Sequence, residues 1–201
     1  MQILRGTALL AFAGAAAISI PIWAAELVAP GVPNFHQIND HVYRGAQPKG
    51  EGWNSLAKLG IKTVVDLRQE NEHSTTDEQH AVEAAGMHYL NVPLGGLSAP
   101  PDQKIAKLLD LLTNSHDPVF VHCRRGADRT GTVIACYRVA HDGWSNRKAL
   151  DEAKADGMSW IEVAMHHYVM GFHPPATQVA QQAPASAPAA PAVLPATAGL
   201  N

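Results

Sequence analysis

Cysteine is almost missing from this chain: its 201 residues carry two, Cys123 and Cys136. A disulfide-stapled fold needs a larger even set at framework spacing, so this pair argues against that class of scaffold. Aromatic residues are scarce, at 6%, and charged ones make up 16%, with a formal net charge of -3. A chain so balanced has no general attraction for nucleic acid or anionic lipid, and any anion it binds must be held by a local cluster of cations. Apolar runs for repeated membrane spans are lacking, as is any internal repeat. The 11 histidines are scattered, and adjacent His166 and His167 point to different faces of a helix. No ligand triad of workable spacing results, so neither a metal nor another cofactor is expected.

What is present begins with two unusual ends. Residues 1–25 place Arg5 ahead of an apolar run from Ala8 to Ile20, then Pro21, then the small Ala24 and Ala25. This is the layout of a secretory signal peptide, with cleavage expected after Ala24 or Ala25. The alternative is an uncleaved anchor, for which the run is shorter than the roughly 20 apolar residues a span needs. The expectation is therefore a secreted or periplasmic protein with no stable membrane insertion after cleavage. Residues 174–201 lack charge and aromatics and repeat proline, so a disordered tail is expected there. A free thiol in an oxidising compartment is unusual, which suggests that one of the two cysteines has chemistry to do.

Between the ends, residues 26–173 alternate short apolar strands with amphipathic helices. Strands are expected at His41–Pro48, from Ile61, over Met87–Leu94 and over Asp117–His122. Helices are expected over 49–60, over 78–86 with a cap at Ser74, Thr75 or Thr76, and over Asp102–Thr113. Three more follow, over 133–143, 145–157 and 159–172. The pattern predicts one α/β domain with a central, mainly parallel sheet of about four to five strands and helices on both faces. In such sheets ligands bind beyond the carboxyl ends of the strands, where the loop from His122 to Gly131 falls.

That loop has the parts of a phosphate cradle. Cys123 stands at the strand end and faces the start of a helix beginning near Arg129, whose amides and dipole favour a thiolate. Arg129, six residues on, can curl back and hold two phosphoryl oxygens with its planar fork. Gly126 lets the backbone turn its amides inward, Ala127 continues that backbone, and Gly131 allows close packing at the helix start. Thr130 is placed to hydrogen-bond the sulfur. Arg124 and Arg125 add positive charge beside the pocket, unless they face solvent or pair with helix acids.

The stretch VHCRRGADRTG, Val121 to Gly131, resembles the signature of the protein tyrosine phosphatase superfamily: Cys, five residues, Arg, then Ser or Thr. VYRGAQP at Val42–Pro48 and VVDLR at Val64–Arg68 resemble segments of its atypical dual-specificity branch, so the likeness covers residues 35–172. The resemblance implies the fold and a metal-free, two-step mechanism through a cysteinyl-phosphate on Cys123. It implies a phosphorylated substrate, either phosphotyrosyl or phosphoseryl protein or an inositol phosphate or phosphoinositide, and a monomeric enzyme is expected. His122 is expected to hydrogen-bond loop backbone and so tune the thiolate.

The acid for the leaving group departs from the common pattern. Many members place an aspartate on a mobile loop upstream, but here Asn91–Asp102, NVPLGGLSAPPD, holds no acid before Asp102. Asp128, inside the loop itself, competes with Asp102 for that role. Asp66 and Arg68 form either a structural pair or a substrate contact, and Cys136 is either core or the partner of a protective disulfide. Two further classes stay open: a rhodanese-like sulfurtransferase, and a non-catalytic phosphate-binding module.

Overall fold

Strands in which Val is the commonest residue pair into one sheet: β1 His36–Gln37, β2 Val42–Ala46, β3 Thr63–Asp66, β4 His88–Asn91 and β5 Val119–Cys123. Its order is β1-β2-β5-β3-β4, with β1 antiparallel to β2 and every other pair parallel. The computed structural model describes residues 27–174, so the expected signal peptide and the tail beyond Pro174 lie outside the described residues.

Among the described residues six α-helices cover the sheet: α1 Gly52–Lys58, α2 Thr75–Ala84, α3 Asp102–Asn114, α4 Asp128–Ala140, α5 Asn146–Ala155 and α6 Val163–Gly171. Alternation along each strand separates two cores, because successive side chains point to opposite faces. Val64 and Phe120 join Leu56 of α1 and Val82 of α2 on one face. Val65 and Val121 join Leu108 and Leu109 of α3, Val133 of α4, Leu150 of α5 and Val169 of α6 on the other. The central parallel strands are thus covered on both sides, as their continuous apolar runs require. Nearly all of α4 is buried, which makes it the inner helix of its layer.

Side-chain caps start α2 and α5: Ser74 Oγ accepts from the Asp77 amide at 3.2 Å and Ser145 Oγ from Lys148 at 3.3 Å. The structure differs from the sequence reading mainly at element ends. The two-residue strand β1 was not expected; it is too short to carry an alternation signal. A 3-10 turn at Glu70–Glu72 was also not expected. The last helix begins at Val163, not Ser159, because Gly157 at φ +96° breaks the chain direction and the Ser159 amide is drawn to Asp128 Oδ1 at 2.9 Å. Among the described residues no helix is long and apolar enough to cross a membrane.

Candidate active site

Parallel register brings the carboxyl ends of three strands together: Ala46 of β2 stands beside Cys123, and Asp66 of β3 beside His122. From Cys123 the chain turns sharply through Arg124–Ala127 into α4. The turn depends on Gly126, whose φ is +69°. A Cβ there would come within 2.4 Å of the Gly45 carbonyl carbon and 2.5 Å of the Ala46 amide nitrogen, so the loop rests directly on β2.

The loop is also tied from beneath. Arg44 is fully buried and donates through Nη2 to the Gly126 carbonyl at 2.5 Å and through Nη1 to Asp156 Oδ2 at 2.7 Å. Asn34, in a left-handed conformation at φ 52°, reaches the same carbonyl at 3.2 Å and the Asp156 carbonyl at 3.0 Å. Burial lowers the Arg44 pKa, against the pull of Asp156. In the sequence Arg44 falls within VYRGAQP, outside the Cys123 loop. Its signal was a cation in the middle of a strand that is otherwise apolar, which demands a buried partner.

Cys123 is 2% exposed and ends β5, with α4 opening five residues on. Ala127, at the N-cap, supplies no side-chain acceptor, so the leading amides of α4 have no intrahelical partner and are open to an anion. Cys123, Arg129, Arg124, Arg125, Asp128, Glu72, Glu162 and Gly96 line one cavity of about 530 Å³. Arg129 is buried and forks onto Glu72, with Nη1–Oε1 at 2.5 Å and Nη2–Oε2 at 2.8 Å. Burial works to lower the Arg129 pKa, but the bonds to Glu72 outweigh it and raise it. The same bonds hold the Glu72 carboxyl below its usual range. Gly131 packs as expected: a Cβ on it would stand 3.2 Å from Met158 Cε and 3.3 Å from Ala153 Cβ.

The two aspartates part company. Asp128 lies on the wall of the Cys123 cavity, accepting from the Ser159 amide at 2.9 Å and from Arg125 Nη2 at 2.5 Å. Asp102 opens α3, accepts from Tyr168 OH at 2.8 Å and lines a different, mainly apolar cavity with Leu109, Tyr168 and Phe172. The sequence leaves both as candidates for the acid, and of the two the structure brings only Asp128 to the thiol's cavity.

Two other expectations are corrected. His122 makes no bond to loop backbone and does not line the Cys123 cavity, because alternation along β5 turns it to the opposite face. There it stacks on Phe120, with centroids 5.5 Å apart, and sets Nε2 3.1 Å from Glu78 Oε1. The Thr130 hydroxyl is buried without a hydrogen-bond partner, so the expected bond to the sulfur is not formed. Arg125 pairs with a helix acid, Asp128, while 61% of its side chain stays exposed.

Asp66 and Arg68 do form a structural pair, with Nε–Oδ1 at 2.9 Å and Nη2–Oδ2 at 3.1 Å. Arg68 also bonds Glu78, and Asp66 accepts from Tyr89 OH at 2.9 Å and lies 2.7 Å from His73 Nε2. Asp66, His73 and Glu78 stand at the mutual spacing of metal ligands, but the Arg68 guanidinium bonds both carboxylates. Arg68 reaches a second cavity that shares Glu72, Arg124 and Arg125 with the first and adds Gln47 and Lys49. Cys136 is wholly buried in α4, and burial pushes its thiol pKa up, which leaves it a core residue poorly suited to thiolate chemistry.

The sequence reading missed Glu72, Glu162, Arg44 and Asn34. Glu72 lies in the unexpected 3-10 turn and Glu162 in a stretch read as helix, so neither carried a motif.

Known proteins share this arrangement. The family model described as a DSP-PTPase phosphatase fused to NAD+ kinase matches residues 31–170. The dual specificity protein phosphatase TpbA of Pseudomonas aeruginosa (strain UCBPP-PA14) is 27% identical over 160 residues, covering 74% of this chain and 71% of TpbA. The crystal structure of P. aeruginosa TpbA has a TM-score of 0.64 at 26% identity, covering 77% of this chain and 94% of that one. An inositol diphosphatase of Arabidopsis thaliana is 26% identical over 134 residues, covering 64% of this chain and 64% of its own length, so the chain spans less than two thirds of that relative. With the Cys123–Arg129 loop at the carboxyl end of a parallel sheet, the chain belongs to this dual-specificity phosphatase family of the protein tyrosine phosphatase superfamily.

Proposed function

We propose that the chain is a phosphoric monoester hydrolase acting through a cysteinyl-phosphate on Cys123, with a polyphosphorylated inositol as its substrate. The Cys123 thiolate attacks phosphorus, the bond to the leaving oxygen breaks, and that oxygen takes a proton. Water then attacks phosphorus, the S–P bond breaks, and phosphate leaves the restored thiolate. The amides opening α4 and the Arg129 fork receive the phosphoryl oxygens and stabilise the charge that builds on them. The acid comes from the cavity wall that carries Asp128 rather than from Asp102.

One observation carries the substrate reading. The thiol's cavity adjoins a second one that shares Arg124 and Arg125 with it and adds Lys49, more cationic side chains than a single phosphate group needs. A ring bearing several phosphates can place one on Cys123 and others against these cations. The Arabidopsis relative's name, inositol diphosphatase, points the same way. Phosphotyrosyl protein is the second reading, favoured by the TpbA structure solved in complex with phosphotyrosine at 25% identity. Export to the periplasm or beyond rests on the layout of residues 1–25.

The test compares kcat/KM on inositol hexakisphosphate and on a phosphotyrosyl peptide, for wild type and for a double Arg124→Ala, Arg125→Ala variant. The expected result is a wild-type preference for the inositol substrate that the double variant loses. Preference for the peptide in both proteins would replace the first substrate reading with the second.

A further inference from the structure

The Cys123 cavity holds a carboxyl group that the steps above leave unused. Glu162 precedes α6 and is 4% exposed, yet it lines the cavity together with Cys123, Asp128 and Arg129. Its Oε2 is buried and has no hydrogen-bond partner. A carboxylate oxygen shut away from water and donors is costly, and the protonated acid is the form such a place favours.

The charged groups around it act in both directions. Burial first, then the negative Asp128 of α4, raises the Glu162 pKa; Arg125 of the loop and Arg129 of α4 oppose them without prevailing. Glu72, from the 3-10 turn on the far side, is neutralised by its fork with Arg129. Asp128 is placed differently. Its Oδ1 is held by the Ser159 amide and its Oδ2 by Arg125, so both oxygens serve as acceptors. The two carboxyl groups thus sit in unlike settings: one oxygen of Glu162 meets no donor, whereas both oxygens of Asp128 accept hydrogen bonds.

We propose that Glu162 is a catalytic proton donor of this site, and that Asp128 is the fixed carboxylate beside it that holds Arg125 and Ser159 in place. As the S–P bond forms and the ester P–O bond breaks, the leaving oxygen takes the proton of Glu162. When water attacks the cysteinyl-phosphate, its proton returns to the Glu162 carboxylate as the S–P bond breaks. This rests on the phosphatase reading and names the acid within it.

The test uses two aryl phosphates, one with a poor leaving group (phenyl phosphate) and one whose dinitrophenolate needs no proton (2,4-dinitrophenyl phosphate). Glu162→Gln should lower kcat/KM, which reports only the steps up to departure of the leaving group, about a hundredfold or more on phenyl phosphate while changing kcat/KM on the dinitrophenyl ester by less than about threefold, with partial recovery in Glu162→Asp. Wild type supplies a second measurement that needs no variant: kcat/KM on phenyl phosphate should fall at high pH along a limb missing with the dinitrophenyl ester. Equal losses on both esters, no loss on either, or a leaving-group-selective loss in Asp128→Asn alone would overturn the assignment. A wild type that hydrolyses neither ester would instead overturn the phosphatase reading itself.

Discussion

Arg129 turns both of its terminal nitrogens onto Glu72, at 2.5 and 2.8 Å. The cation meant for the phosphoryl group is therefore paired with a carboxylate of the same chain. The pair has two effects that pull apart: it aims the guanidinium into the cavity, and it sets a carboxylate in competition with any incoming phosphate for the same donors.

Competition can be measured without chemistry. Replacing the carboxylate by an amide of the same shape removes the negative charge facing the anion. For Glu72→Gln the inhibition constant of inorganic phosphate should fall about three- to tenfold, equivalent to about 0.6–1.4 kcal/mol. An unchanged or weaker phosphate inhibition would show that the Glu72 charge acts only to orient Arg129.

Stability should respond to acid with a sign set by the carboxyls. Glu72 is depressed chiefly by its bond to Arg129. In Asp66 and Asp142 burial works upward but is outweighed, by Arg68 and by His141 and Arg138 respectively. A carboxyl depressed in the folded state contributes stability above its unfolded pKa and loses it as pH falls through the folded value. Thermal stability should thus decline below about pH 4.5, the unfolded range of carboxylates. Glu162 runs the other way: its raised value means that ionisation at neutral pH works against folding. Glu162→Gln should therefore melt higher than wild type at pH 7 and no higher at pH 3, and scanning calorimetry at both values decides it.

Arg68 makes the sharpest stability prediction. It bonds both Asp66 and Glu78, all three are buried, and its own pKa is raised because those two acids outweigh burial. Arg68→Met keeps the volume but strands two acids in the interior, and denaturant unfolding should record a loss of about 3–5 kcal/mol. A loss under about 1 kcal/mol, typical of an exposed pair, would show that water reaches the cluster.

How much of this could be read from the sequence follows from where the signals are local. β-Branched runs at Val64–Val65 and Val119–Val121 and the amphipathic stretch 102–114 fixed strands, helix and layer order, since burial acts on each segment separately. Cys123, Gly126 and Arg129 were legible because one short loop carries them at fixed spacing. Glu72, Glu162, Arg44 and Asn34 were not: they reach the loop across 57, 39, 79 and 89 positions of sequence, given their numbers against Arg129, Cys123, Cys123 and Cys123. No periodicity encodes such meetings. His122 misled for a simpler reason. It is next to the nucleophile in sequence, and in a strand that puts it on the other face.

The central claim is that Cys123 carries the phosphoryl group between the two steps. Rapid acid quench of wild type turning over an aryl phosphate, followed by mass spectrometry of the peptide containing Cys123, tests it directly. The account predicts a phosphorylated Cys123 that accumulates with wild type and is missing from Cys123→Ser, which should release no phosphate. Phosphate release by Cys123→Ser at the wild-type rate, or a phosphoryl group found on another residue, would contradict it.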